Sequence, residues 1–451
     1  MRTAVGVVAG VYLVALVAIG YLLRRRQAKF ADYVTGGGRI PAWMLAISFF
    51  ANFVSSNSFV GHSAKSYAVG LSWLGVAGVM VVCCAISWFW FAPRFARFAK
   101  ESGAMTLPDF FERKFSKAVA LVVAGIVVVG TLFYVLAVMR GTALAVMSGL
   151  GIGYLQALVG IWAVTVAYCL FGGLWADVST DVIQAVVLMA GAVVLFFGVL
   201  FATGTPATTP IQPAPVGLVL AVGLGGGLKL LSDPKQVMVF YAFDSEAAAR
   251  RFRILGPILL AGVYACLFPV GYLARRIVPS APDLERLVPG LVSSGGVLPA
   301  WFAPLFIVAL LAASMSSLDS ALLVMASCAE KHFVAPLRRQ TEPSLARTRI
   351  LLVGFSSLAL VLSIRPLGGI IRLTTFAGAL VGASILPAIV VGLAGIRVPP
   401  RAVLASVAMG ATGAVLGFVL SGRVPTPWVQ DVTVGLVFAV APLAIAALQR
   451  R

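Results

Sequence analysis

Serine, asparagine and aspartate cluster at two places inside long apolar runs. In Ala51-Asn-Phe-Val-Ser-Ser-Asn-Ser58 the side chains compete with the backbone for hydrogen bonds, so a helix can unwind there. Unwound backbone at membrane depth is tolerated only where it lines a cavity, and it offers carbonyl oxygens to a cation. The same residues also suit a polar seam between packed helices, and on this segment alone both readings stand. In Ala312-Ala-Ser-Met-Ser-Ser-Leu-Asp-Ser-Ala321, Ser316, Asp319 and Ser320 are spaced i, i+3, i+4 and share one helix face. Small residues there favour close helix packing. Asp319 resists that explanation, because a carboxylate within a span is costly unless it meets a cation, a proton or water. Hydroxyls, a carboxylate and carbonyls form an oxygen-only set, which suits a hard cation and excludes a thiolate or imidazole metal site.

Three further charges bear on chemistry. Asp181, in Gly172-Gly-Leu-Trp-Ala-Asp-Val-Ser-Thr-Asp181, either caps the start of a helix or joins a cation site. Arg140 and Lys229 lie deep in apolar segments as uncompensated cations, with Asp181 or Asp319 as alternative partners. An intramembrane charge faces a cavity, a partner or a substrate, so both are candidate ligands for an anionic group, most plausibly a carboxylate, on a solute.

The elements that must position these residues follow from composition. The 451 residues are 61% apolar and 11% charged, too little polar surface to cover a water-soluble fold of this size. The solvent is the lipid bilayer, and unbroken apolar runs of helix length make the protein an all-α integral membrane protein rather than a barrel. Spans are expected near 4–23, 43–70, 72–92, 118–150, 153–172, 181–202, 216–241, 253–274, 301–333, 350–364, 367–395, 401–420 and 431–448, thirteen transmembrane helices in all. The net charge of +19 sits in short loops between them, which is the positive-inside pattern and not a nucleic-acid stripe. It places the amino terminus outside and the carboxyl terminus in the cytoplasm of a bacterial-type inner membrane. The five cysteines fall within apolar segments and read as packing residues. His62 and His332 are the only histidines and neither has a metal or triad motif around it, so no enzyme and no catalytic residues are expected.

Several segments, in order, resemble the sodium:solute symporter family, which includes sodium/proline, sodium/galactose, pantothenate and sialic-acid symporters. These are Asp32-Tyr-Val-Thr-Gly-Gly-Gly-Arg-Ile-Pro-Ala-Trp43, Phe59-Val-Gly61, Tyr67-Ala-Val-Gly-Leu71, Gly172-Gly-Leu with Thr180-Asp-Val-Ile-Gln184, and Ser316-Ser-Leu-Asp-Ser320. The resemblance implies two inverted five-helix repeats, 43–202 and 216–395, preceded by a leading helix and basic loop (1–42) and followed by two helices and a basic tail (401–451). It implies a main sodium site on the carbonyls of Ala51, Val54 and Ala313 and the hydroxyls of Ser316 and Ser317. A second cation site would use Asp181, Ser316, Asp319 and Ser320. The substrate would lie near Ser55, Ser56, Asn57 and Ser58. The family's Gln-Arg after its sixth core helix is Phe240-Tyr241 here, and the sugar-binding acids and amides are missing, which argues against a sugar. Sodium-coupled symport of a small organic solute by alternating access is therefore expected, with sodium as the coupling ion and no other cofactor. Proton coupling on the same fold and a transporter-like solute sensor are the alternatives.

Overall fold

The computed structural model describes residues 2–23, 29–55, 57–281, 283–293, 301–365, 367–421, 423 and 429–449. Among them every regular element is a helix, and eleven helices are long and apolar enough to cross a membrane. The protein is thus a multi-pass membrane protein. Ala42–Phe53 and Tyr154–Leu170 are apolar but shorter. The elements that matter here are α1 (Arg2–Leu23), α2 (Ala42–Phe53), α3 (His62–Val69), α4 (Leu74–Ile86), α5 (Lys117–Leu150), α6 (Tyr154–Phe201), α7 (Val216–Ser232), α8 (Pro234–Tyr241), α9 (Leu255–Leu267), α10 (Phe302–Ala329), α11 (Leu345–Ile364), α12 (Ile370–Gly378), α13 (Ser384–Leu393), α14 (Pro400–Leu420) and α15 (Asp431–Leu448).

The helix boundaries differ from the expected spans at two places. The segments expected at 153–172 and 181–202 are two helices that meet within α6 at a kink at Gly173, with no loop between them. Gly173 has φ 49° and ψ −169°, a conformation only glycine adopts cheaply, so one residue redirects the chain while helix continues on either side. Conversely, the segment expected as 216–241 is broken. Asp233 has φ −59° and ψ 126°, its side chain accepts from the Lys235 N–H at 3.0 Å, and Pro234 opens α8. Proline lacks an N–H and starts a helix well, so Asp233-Pro234 ends α7 and begins α8 in one step.

The helices differ in what they face. The apolar window of α10 is 100% buried and that of α1 only 17%, which sets α10 at the core and α1 at the lipid-facing edge. α10 packs against α5, α6, α2 and α1; α7 packs on α4, and α14 pairs with α15. The Ser316–Ser320 face therefore lies at the centre of the bundle, out of reach of lipid.

One loop is fixed by charge. In the short helix Leu107–Lys114, Asp109 Oδ2 accepts from the N–H groups of Met105 and Thr106 (2.8 Å each) and from Lys331 Nζ (2.7 Å) beyond the end of α10. Burial pushes the Asp109 carboxyl up, but Lys331 and His332 together with these donors outweigh it and hold the group below the usual carboxylate range. Because the folded value is depressed, the stabilisation is present above the ordinary carboxylate range and is lost as pH falls through the folded value. Asp109→Asn is expected to cost about 1–3 kcal/mol at neutral pH and to remove this part of the acid sensitivity, both read by thermal unfolding across pH 3–7.

Candidate functional site

The polar run at 51–58 does break its helix. α2 ends at Phe53, Val54 is extended (φ −80°, ψ 116°), Val54 and Ser55 are non-helical, and a π-helical turn, Asn57–Gly61, leads into α3. Ser56 lies outside the described residues. A helix end leaves its last carbonyls without intrahelical donors, and here those of α2 meet the serine face of α10. Ser316 Oγ donates to the Ala51 carbonyl at 3.0 Å and to the Ala313 carbonyl at 3.2 Å; Ser317 Oγ donates to the Asn52 carbonyl at 3.1 Å. Ala51, Val54, Ala313, Ser316 and Ser317 are all completely buried. The fold thus gathers carbonyls and hydroxyls from two helices more than 250 residues apart in sequence, at the negative end of the α2 dipole.

Immediately beside this oxygen cluster lies an acidic one. Asp181 Oδ2 accepts from Ser48 Oγ at 2.5 Å and Asn52 Nδ2 at 3.1 Å, while its Oδ1 is buried without a hydrogen-bond partner. Asp319 Oδ1 accepts from the Ser320 N–H and Oδ2 from Tyr168 Oη, both at 2.8 Å. Ser320 Oγ bonds Asn52 Oδ1 and reaches Asp177 Oδ1 and Oδ2 at 2.9 and 2.7 Å. Asp181, Ser316, Asp319 and Ser320 are therefore brought into one neighbourhood, joined by Asp177, which sequence reasoning missed. Its signal was there: Asp177 stands one turn before Asp181 on the same face of α6. Asp177 and Asp319 line a small recess together with Tyr33, Tyr168 and Gly173.

On the other side of the break, Ser55, Asn57 and Ser58 line a cavity between α2, α7 and α12. Its walls include Phe53, Met80, Tyr134, Tyr264 and Ile371. Two polar groups in it are open. Asn57 Oδ1 has no hydrogen-bond partner. The Lys229 ammonium, on a residue only 8% exposed, lies 3.8 Å from the Tyr134 ring centroid and meets no carboxylate or hydrogen-bond acceptor among the described residues. Gly378 makes room for it, since a Cβ there would meet the Lys229 stem at 2.9 Å.

Arg140 behaves differently from Lys229 and is corrected here: it is not an uncompensated cation. Its guanidinium pairs with Glu285 at 2.8 Å and donates to the Gly368 carbonyl at 2.7 Å, and Glu285 Oε1 accepts from the Ile370 N–H at 2.9 Å. It is not among the residues lining the cavity. The partner is 145 residues away in a loop, so no local pattern could have shown it.

The arrangement, then, is a buried set of carbonyl and hydroxyl oxygens at a helix break, with a cavity that holds the Lys229 ammonium on one side and carboxylates on the other. At 26% identity over 399 residues, covering 83% of this chain and 81% of the relative, the protein is similar to a sodium/pantothenate symporter of Haemophilus influenzae. It is 27% identical over 430 residues to the high-affinity proline transporter PutP of Bacillus subtilis, covering 89% of each chain. Its fold matches the substrate-bound outward-open state of a Na+-coupled sialic acid symporter with a TM-score of 0.83 at 19% identity, over 99% of this chain and 97% of that one. The sequence profile of the sodium:solute symporter family matches residues 33–212 and 206–410, and the chain belongs to that family.

Proposed function

We propose that the protein is a secondary active transporter that carries a small organic carboxylate into the cell together with sodium by alternating access. The observation that carries this reading is the crossing of α2 and α10, where Ser316 and Ser317 meet the carbonyls of Ala51, Ala313 and Asn52 beside a cavity holding an unpaired ammonium. Sodium takes the main site on Ala51, Val54, Ala313, Ser316 and Ser317. A second cation occupies the region of Asp181, Ser316, Asp319 and Ser320. The solute lies against Ser55, Asn57 and Ser58 with its carboxylate on Lys229. Both ligands bind one outward-facing state, and the sodium gradient pays for the inward step.

In this reading the repeats 43–202 and 216–395 move against each other about the two helix breaks. An odd number of helices in each reverses its sense in the membrane, with the amino terminus outside and the carboxyl terminus in the cytoplasm of a bacterial inner membrane. The test is uptake of radiolabelled carboxylates, neutral solutes and sugars into proteoliposomes. Carboxylates that accumulate only under an inward sodium gradient support the proposal, and accumulation of neutral solutes alone contradicts it.

One observation favours a second reading for the Asp319 site. Asp177 and Asp319 line one recess and are bridged by Ser320, which bonds Asp177 through its hydroxyl and Asp319 through its N–H, and two carboxyl groups brought together in a buried site favour a proton on one of them. If that site takes a proton in place of a second sodium, Asp319→Asn uptake loses its pH dependence and keeps its sodium dependence. A lower sodium Hill coefficient in the variant, with pH dependence intact, assigns the site to sodium.

A further inference from the structure

A lysine reaches the main-chain oxygen that holds Ser317, one of the proposed sodium ligands. Lys235, in the first turn of α8 after the Asp233-Pro234 break, is 1% exposed. Its ammonium donates to the Asn52 carbonyl at 3.1 Å, the same oxygen that accepts from Ser317 Oγ at 3.1 Å. Asn52 follows Ala51, whose carbonyl takes the Ser316 hydroxyl. A fixed positive charge therefore sits against the last carbonyls of α2, where an incoming cation must bind.

Position and surroundings argue against a role in packing alone. Lys235 does not reach outward along its stem, as buried lysines usually do; its Nζ lies 4.0 Å from the Tyr134 ring centroid, and Lys229 Nζ lies 3.8 Å from the same centroid. Tyr134 thus stands between the two ammonium groups. The charged groups that face Lys235 are Asp177 and Asp181 on α6, Asp319 on α10, Asp233 at the head of α8 and Lys229 on α7. The ammonium offsets the acidic cluster on one side and opposes a sodium ion on the other. A carrier must bind its ion firmly enough to capture it and weakly enough to release it, and a charge held beside the ligands sets that balance without being a ligand.

We propose that Lys235 is a resident cation beside the sodium site that lowers sodium affinity and thereby sets the concentration range over which sodium loads and leaves. The inference rests on the assignment of sodium to Ser316 and Ser317, and its test separates the two. The purified protein is titrated with sodium chloride at constant ionic strength, choline replacing sodium, and the unfolding midpoint is followed, since a ligand of the folded state stabilises by mass action. Lys235→Met and Lys235→Gln remove the charge, the glutamine keeping a donor for the Asn52 carbonyl; Lys235→Arg keeps the charge. The half-saturating sodium concentration is expected to fall at least tenfold in both neutral variants and to stay within about twofold of the parent in the arginine variant, as expected for Coulomb repulsion at short range. Unchanged or weaker sodium binding in the neutral variants overturns the proposal, as does an equal change in all three. Failure of both neutral variants to fold assigns Lys235 to the fold and overturns it too. If the parent shows no sodium-specific shift, the sodium assignment itself fails, whatever Lys235 does.

Discussion

Replacing Ser316 and Ser317 together by alanine is expected to abolish sodium-specific stabilisation and sodium-driven uptake. In the parent, sodium at a hundredfold excess over its dissociation constant adds about 2.7 kcal/mol to folding stability, and potassium or choline at equal ionic strength adds none of it. Both hydroxyls are buried against carbonyls of α2, and no other described side-chain hydroxyl donates to the Ala51 or Asn52 main-chain carbonyl. The double variant also loses hydrogen bonds that join α2 to α10 and is less stable in every salt; that loss is common to all cations and cancels in the comparison. A sodium-specific shift that survives in the double variant removes the site from this crossing.

The second large effect is expected at Lys229. Lys229→Gln should raise the apparent Michaelis constant for a transported carboxylate about thirtyfold or more, equivalent to roughly 2 kcal/mol, in the range of hydrogen bonds to charged groups. Sodium binding measured without solute should stay close to that of the parent, because the Lys229 ammonium touches the Tyr134 ring and no sodium ligand. Arg140→Gln is the informative control: with its guanidinium committed to Glu285 and Gly368, it is expected to lower stability and leave solute affinity near that of the parent. If Arg140→Gln weakens solute binding and Lys229→Gln does not, the anion site has been placed on the wrong cation.

These two effects rest on features that differ in how far the sequence disclosed them. The break at Val54 and the shared face of Ser316, Asp319 and Ser320 were legible because both are local: polar residues in an apolar run, and a spacing of three and four. The pairing of these two segments was not local, and only resemblance to a family put them at one site. The break at Asp233-Pro234 carried an adequate signal, an N-terminal proline behind a capping aspartate, yet it was submerged in a segment read as one apolar span. Only the family resemblance implied a broken helix there, and Lys235 was not singled out. Asp177 was visible as the residue one turn from Asp181, but a single span count gave no reason to bury it. At Gly173 the glycine pair signalled a short turn between two helices, and one residue with positive φ makes it. The Arg140–Glu285 pair lies beyond any pattern reading, since a loop charge distant in sequence neutralises a charge within a helix.

The central claim is that sodium and solute cross together, and the direct measurement is of sodium movement driven by solute. Proteoliposomes are loaded with equal sodium inside and out, clamped at zero membrane potential, and given an inward gradient of a transported carboxylate, with entry of radioactive sodium followed over time. The account predicts net sodium accumulation against no sodium gradient of its own, absent in the Ser316→Ala/Ser317→Ala variant. Solute entry with no accompanying sodium would contradict it.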